Sequence, residues 1–190
     1  MRLILASASP RRLDLLARIG VTPDAIIPAD VDESVPRGEL PRDHALRLAT
    51  EKSEAVAARE PGALVLAADT VVAVGRRILP KVEDEATLRA CMKLLSGRRH
   101  RVLTGVALAV PGGDVRGRLV ETMIAMKRLS DEEIAFYAAH GEWRGKAGGY
   151  ALQGYGEVYV RHIAGSYSNV IGLPLAETRL LLKGAGYAIA

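Results

Sequence analysis

The sequence predicts an α/β fold built on a mixed sheet. Apolar runs of strand length alternate along the chain with amphipathic stretches of helix length. Ala63–Ala68 is apolar throughout, which suits a central strand covered on both faces. Val102–Val110 and Val115–Met126 flank Pro111-Gly112-Gly113-Asp114, the pattern of a long antiparallel hairpin.

The elements follow in order. Arg2–Ala6 reads as a short apolar strand. Ser9 then stands at an N-cap with Pro10 at the first helical position, where proline is tolerated. Leu13, Leu16 and Ile19 form the stripe of this first helix, and Gly20 stops it. Ala25–Ala29 reads as a second strand, followed by the acids Asp30, Asp32 and Glu33. A helix over Arg42–Arg59 carries Leu46, Ala49, Ser53 and Val56 on one face, and Pro61-Gly62 closes it. The apolar strand Ala63–Ala68 ends at Asp69-Thr70; Val71–Val74 and Ile78-Leu79 then flank a turn at Gly75. Glu83–Leu95 reads as a helix with Leu88, Cys91, Met92 and Leu95 on its buried side, acids in its first turn and Gly97 as its stop. After the hairpin, Ser130-Asp131-Glu132-Glu133 is a capping box opening a helix that ends at Gly141. A glycine-rich segment, Gly145–Gly156, precedes a short strand near Val158–Ile163, and Pro174 starts a last helix ending at Lys183-Gly184. The hairpin and its following helix are expected to form a second lobe, with a cleft between the lobes.

Composition bounds the function. At 190 residues the chain suggests one domain over 1–190. Hydrophobic residues at 49% and charged residues at 25% exclude wholesale disorder. A net charge of +4 favours an anionic partner but falls short of a nucleic-acid surface. The single cysteine, Cys91, excludes an intrachain disulfide or a cysteine zinc cluster and points to the cytoplasm. Aromatics at 4% leave little material for base-stacking platforms. Leu3–Ala6 is too short for a signal-peptide core, and no run approaches the ~18 apolar residues of a membrane span.

Several segments could carry chemistry. Ser7-Ala8-Ser9-Pro10-Arg11-Arg12 joins a strand to a helix N-terminus, where free N–H groups, hydroxyls and guanidinium forks form an anion cradle. The plainer alternative is a capped helix with exposed arginines. Asp69 closes an apolar strand, where α/β proteins bind ligands; buried, it must face a metal, a lysine or a cleft, unless it is a turn aspartate. Lys52, Lys81 and Lys146 could each neutralise phosphate or be solvated. Glycines in Lys146–Gly154 allow close backbone approach, and Gln153 offers one donor and one acceptor face to a base edge; the segment could equally be a flexible loop. Arg98, Arg99, His100 and Arg101 form a basic cluster that reads better as a solvated turn than as a nucleic-acid contact. Ser166-Tyr167-Ser168-Asn169 is either a turn and cap or a second phosphate-side loop.

Taken in order, Leu5–Arg12, Ala68-Asp69-Thr70-Val71-Val72, Leu95-Ser96-Gly97 with His100–Gly105, Lys146–Gly154 and Gly165–Pro174 resemble the Maf family of nucleoside triphosphate pyrophosphatases. The resemblance spans nearly the whole chain. It implies the Maf/Ham1 (inosine-triphosphate-pyrophosphatase-like) fold, two lobes around a nucleotide cleft, a homodimer, and hydrolysis of a nucleoside triphosphate to monophosphate and pyrophosphate with a divalent cation, Mg²⁺ or Mn²⁺. It assigns proton acceptance to Asp69 and base choice to Arg11, Thr70 and Gln153, a set that looks like the dTTP/UTP subgroup rather than the 7-methyl-GTP one. Val82 and Pro80 around Lys81, and Trp143-Arg144-Gly145 before Lys146, depart from the family pattern.

Glu33, which ends the acidic patch beyond the second strand, is expected with Asp69 to contact the metal, and Lys52 and Lys81 to act with Asp69 at the reacting phosphates. Ser7, Ser9, Arg12 and Lys146 would hold the triphosphate. The rival classes are a non-enzymatic regulator of septum formation and a nucleotidyltransferase, which would use the same anion cradle.

Overall fold

The computed structural model describes residues 1–189. Its elements are β1 (Leu3–Leu5), α1 (Pro10–Ala17), β2 (Ala25–Ile26), α2 (Pro41–Ala57), β3 (Leu64–Val74), β4 (Arg77–Leu79), β5 (Lys81–Val82), α3 (Glu85–Leu95), β6 (Arg99–Ala109), β7 (Val115–Met126), α4 (Asp131–His140), β8 (Lys146–Ala147), a 3-10 turn (Tyr155–Tyr159), β9 (Val160–Ala164), α5 (Tyr167–Ile171) and α6 (Leu175–Gly184). The main sheet runs β2-β1-β3-β6-β7-β9, with β4 also on β3; β5 and β8 form a separate pair. β2, β1 and β3 are parallel and the other pairs antiparallel, so the class is α/β with a mixed sheet.

The strand expected to end at Asp69 does not end there. β3 continues for 11 residues to Val74, because β6 pairs with it from Val65 to Ala73. Its other edge is interrupted. β1 covers Leu64–Leu66 and β4 covers Val72–Val74, which leaves Asp69 and Thr70 in the gap. Strand alternation then divides the side chains. Val65, Ala67, Val71 and Ala73 pack in the clusters on the α2 side, and Leu64, Leu66, Ala68 and Val72 pack in the two on the opposite face. Asp69 takes the α2 face and Thr70 the other.

Two cores lie along these strands. Leu3, Leu5, Leu15, Leu16, Leu64, Leu66, Leu108 and Leu182 build one. Val72, Leu88, Met92, Val102, Ile124, Ile134, Trp143 and Tyr150 build the other. The hairpin β6–β7 therefore threads both lobes instead of forming the second alone. That lobe is made by α3, α4 and the glycine-rich segment against the strand ends.

Smaller expectations also shift. α1 ends at Ala17, and Leu15 rather than Leu13 is buried beside Leu16. β2 holds only Ala25–Ile26, since its one partner, β1, is three residues long. Arg99–Arg101 are strand residues rather than a turn, and His100 is buried. The glycine-rich segment is not a loose loop: Gly145 N–H donates to Val82 O and Gly148 N–H to Pro80 O, and Tyr150, Ala151 and Leu152 are buried. The capping box at Ser130 and Glu133 forms, Gly141 closes α4 in the left-handed conformation, and Cys91 is buried on α3. No helix of the described residues is long and apolar enough to cross a membrane.

Candidate active site

A cleft of about 350 Å³ opens where β3 loses its edge partner. Ser7, Ser9, Arg11, Arg12, Glu33, Lys52, Asp69, Thr70, Lys81, Lys146 and Gln153 all line it. Residues separated by as many as 146 positions in sequence are thus gathered at one place.

Its floor is an ionic strap. Lys52 on α2 is 8% exposed, and its Nζ lies 2.7 Å from Asp69 Oδ1 and 2.5 Å from Glu33 Oε1. Lys81 Nζ takes the second Glu33 oxygen at 2.7 Å. Burial works against the charge on Glu33, yet hydrogen bonds from Lys52 and Lys81 outweigh it and hold the carboxyl down at about 2. Gly105 makes this reach available. It sits opposite Asp69 across β3–β6, and a Cβ there would stand 2.2 Å from Ala45 O of α2. Only glycine lets the helix lie this close to the sheet.

One wall is the loop from β1 to α1. Ser7 Oγ accepts from the Ser9 N–H at 3.2 Å and from Arg12 Nη1 at 2.8 Å, and Arg12 Nε donates to Gly172 O at 2.9 Å. Ser9 makes no side-chain cap, so its hydroxyl is open to the cleft. Across from it, pairing of Lys81 with Ala147 and of Val82 with Lys146 brings both lysines to the same wall. Arg11, Arg12 and Lys146 form no ion pair with a carboxylate among the described residues. Burial pushes all three below their ordinary pKa values, with Asp69 opposing this at Arg12 and Glu142 opposing it at Lys146. Three partly desolvated cations without a counter-ion form a site for a polyanion.

The opposite face of β3 carries a polar chain. Thr104 Oγ1 bonds both Asn169 O, at 3.0 Å, and Thr70 Oγ1, at 2.8 Å. A carbonyl cannot donate, so the Thr104 proton goes to Asn169 and the Thr70 proton goes to Thr104. Thr70 therefore presents only lone pairs to the cleft. Asn169 Nδ2 in turn donates to Val102 O and Thr122 Oγ1, and Ser166 caps α5 by accepting from the Asn169 N–H. The Ser166–Asn169 segment is a cap and an anchor rather than a phosphate loop.

Sequence reasoning missed the apolar wall of Val72, Val102, Tyr150 and Leu152. Cross-strand pairing of Val72 with Val102 puts them together, which a one-dimensional pattern does not reveal. It also placed His100 in a solvated turn, whereas its Nε2 lies 2.7 Å from the Tyr150 hydroxyl and burial pushes it down to about 4, leaving it neutral.

Residues 2–185 match the model of a family described as Maf-like protein. The chain belongs to this family. Similar Maf-like sequences include a dTTP/UTP pyrophosphatase of Caulobacter vibrioides, 64% identical over 97% of this chain and 96% of that one. Another, also named dTTP/UTP pyrophosphatase, is from Novosphingobium aromaticivorans, 61% identical over 97% of this chain and 92% of its own. Among solved structures, the Staphylococcus aureus Ham1 protein aligns with a TM-score of 0.47 at 19% identity, over 66% of this chain and 72% of that one.

Proposed function

We propose that this Maf-family chain is a nucleoside triphosphate pyrophosphatase acting on dTTP and UTP, releasing the monophosphate and pyrophosphate. The observation that carries the reading is the cleft itself: two carboxylates strapped by Lys52 on one side, and three half-buried cations without a carboxylate partner on the other. The names of its relatives agree with it.

Arg11, Arg12 and Lys146 hold the triphosphate, helped by the Ser7 and Ser9 hydroxyls. Asp69 uses Oδ1 for Lys52, and Oδ2 takes the proton of a water that attacks the α-phosphorus. The new P–O bond forms as the bond to the bridging oxygen breaks, and its electron pair leaves on pyrophosphate. Lys52 and Lys81 meet that developing charge, so catalysis is mostly positioning and electrostatics.

The residues fit a divalent cation of the Mg²⁺ or Mn²⁺ kind. Glu33 and Asp69 supply hard oxygen donors close enough for one ammonium to bridge. Among the described residues no group of three His, Cys, Asp or Glu gathers as a cage, so the phosphates would complete the shell. Held there, such a cation would supply charge neutralisation at the phosphate oxygens.

Thymine and uracil carry an N3–H where cytosine carries a lone pair. Thr70, fixed as an acceptor, suits the first two and opposes the third, and Gln153 adds a donor and an acceptor. The reading implies a cytoplasmic enzyme of the nucleotide pool, and the family resemblance adds pairing of two chains; neither nucleic acid nor membrane is needed.

The Asp69→Asn variant tests it. Pyrophosphate release from dTTP should fall by ~10³-fold or more with an unchanged melting temperature. Release at the parental rate removes Asp69 from the mechanism. Assayed side by side with CTP, GTP and 7-methyl-GTP, a preference for 7-methyl-GTP overturns the substrate assignment.

A further inference from the structure

Glu142 lies outside the cleft lining, yet its interactions bracket the segment that supplies Lys146 and Gln153. The Glu142 carboxylate is occupied by three donors. Oε1 accepts from the Tyr137 hydroxyl at 2.9 Å and from the Gly156 N–H at 2.8 Å, and Oε2 accepts from the Tyr155 N–H at 3.0 Å. At the near end, the Glu142 carbonyl accepts from Lys146 Nζ. In the middle, the Tyr137 oxygen accepts the Ala151 N–H at 3.1 Å, so the same relay also moors the buried stretch before Gln153. The packing is close: a Cβ on Gly154 would stand 2.3 Å from Glu142 Oε2.

Other roles for this carboxylate fit less well. It cannot act on substrate, because it does not face the cleft and its oxygens are already engaged. Its ion pair with His140, at 3.6 Å, is long and solvated. Three donors on one carboxylate, two of them backbone amides, are the arrangement of a side chain that fixes a loop.

We propose that Glu142, acting through Tyr137, is a positioning residue for base selection: it fixes both ends of residues 146–156 so that Lys146 and Gln153 meet the nucleotide in one geometry. The inference rests on the pyrophosphatase reading above. It assigns Glu142 to binding and discrimination and leaves the strap at Asp69, which does the chemistry, untouched.

The test compares Glu142→Ala, Glu142→Gln, Tyr137→Phe and Gln153→Ala with the parent, using purified full-length chain and dTTP and CTP as substrates. Glu142→Ala should raise KM for dTTP about tenfold, hold kcat within about twofold, and cut the dTTP-over-CTP ratio of kcat/KM by about tenfold. Glu142→Gln keeps an acceptor for Tyr137 and Gly156 but turns an amide donor toward the Tyr155 N–H, so it should recover part of both losses. Tyr137→Phe, which keeps the core ring, should shift KM and the ratio in the same direction by less. If Glu142→Ala and Tyr137→Phe are folded and leave KM and the ratio at parental values, the positioning role is wrong. Loss of kcat with an unchanged ratio also overturns it, as the effect would then be general. Gln153→Ala separates the two layers: should it leave the ratio unchanged while Glu142→Ala changes it, the base-reading role of Gln153 fails and the mooring stands.

Discussion

Thr70 shows how a buried neighbour can set what an active-site residue offers. Its hydroxyl proton is directed to Thr104 because the Thr104 proton is committed to the Asn169 carbonyl. Replacing Thr104 with valine keeps the shape and removes the lock. The Thr70 hydroxyl can then turn and donate to the N3 lone pair of cytosine. We expect Thr104→Val to leave kcat/KM for dTTP within about threefold and to weaken discrimination against CTP by roughly tenfold. An unchanged ratio in the folded variant means that Thr70 does not read N3. Asn169 O still accepts from the Gly172 N–H, so the substitution does not strip that carbonyl of partners. The sequence made Thr70 visible through its place beside Asp69. Thr104 stands 34 residues away and is linked to it only by strand register, so nothing local marked it.

At the scale of elements, the close approach of α2 to the sheet decides whether Lys52 can reach Asp69. Gly105 permits it. In Gly105→Ala the new methyl meets Ala45 O at 2.2 Å and Leu46 Cα at 2.8 Å, both backbone atoms, so the helix must move. We expect a stability loss of roughly 2–4 kcal/mol by denaturant titration, and more than a tenfold fall in kcat at temperatures where the variant is folded. Gly62→Ala, where nothing lies within 4 Å, is the control and should be close to neutral. Parental stability in Gly105→Ala would mean that α2 is not held at contact distance. Most elements were legible because their signals are local: Pro10 at a helix start, the box at Ser130 and Glu133, the turn at 111–114. What was not legible depends on pairing. β3 reads as two strands because Asp69-Thr70 interrupts its apolar run, yet β6 holds it as one. β5 and β8 are two residues each, too short for any periodicity, and they are what bring Lys81 and Lys146 to one wall.

At the scale of the whole molecule, two of the cores are threaded on the same strands. Leu66 and Leu108 belong to one core, Val72 and Val102 to the other, and β3 and β6 carry both pairs. Separate unfolding of the lobes would tear one strand ladder midway, so they should melt together. The cleft lies between the cores, and a ligand there touches groups from the loop after β1, α1, α2, β3 and the segment after α4. Binding should therefore stabilise both lobes at once. At 100 times its Kd, a ligand that binds only the folded chain adds ~2.7 kcal/mol. For a chain of 190 residues that corresponds to a rise of about 5–10 °C in melting temperature. The ligand of choice is dUTP with an α,β-imido bridge, which places a triphosphate-like charge in the cleft without being cleaved. Calorimetry should give one transition that moves as a unit, with the shift shrinking as salt rises, because Arg11, Arg12 and Lys146 supply the attraction. Two transitions, of which the ligand moves only one, would mean that β3 and β6 do not couple the lobes. A shift indifferent to salt would mean that these three cations are not what holds the phosphates.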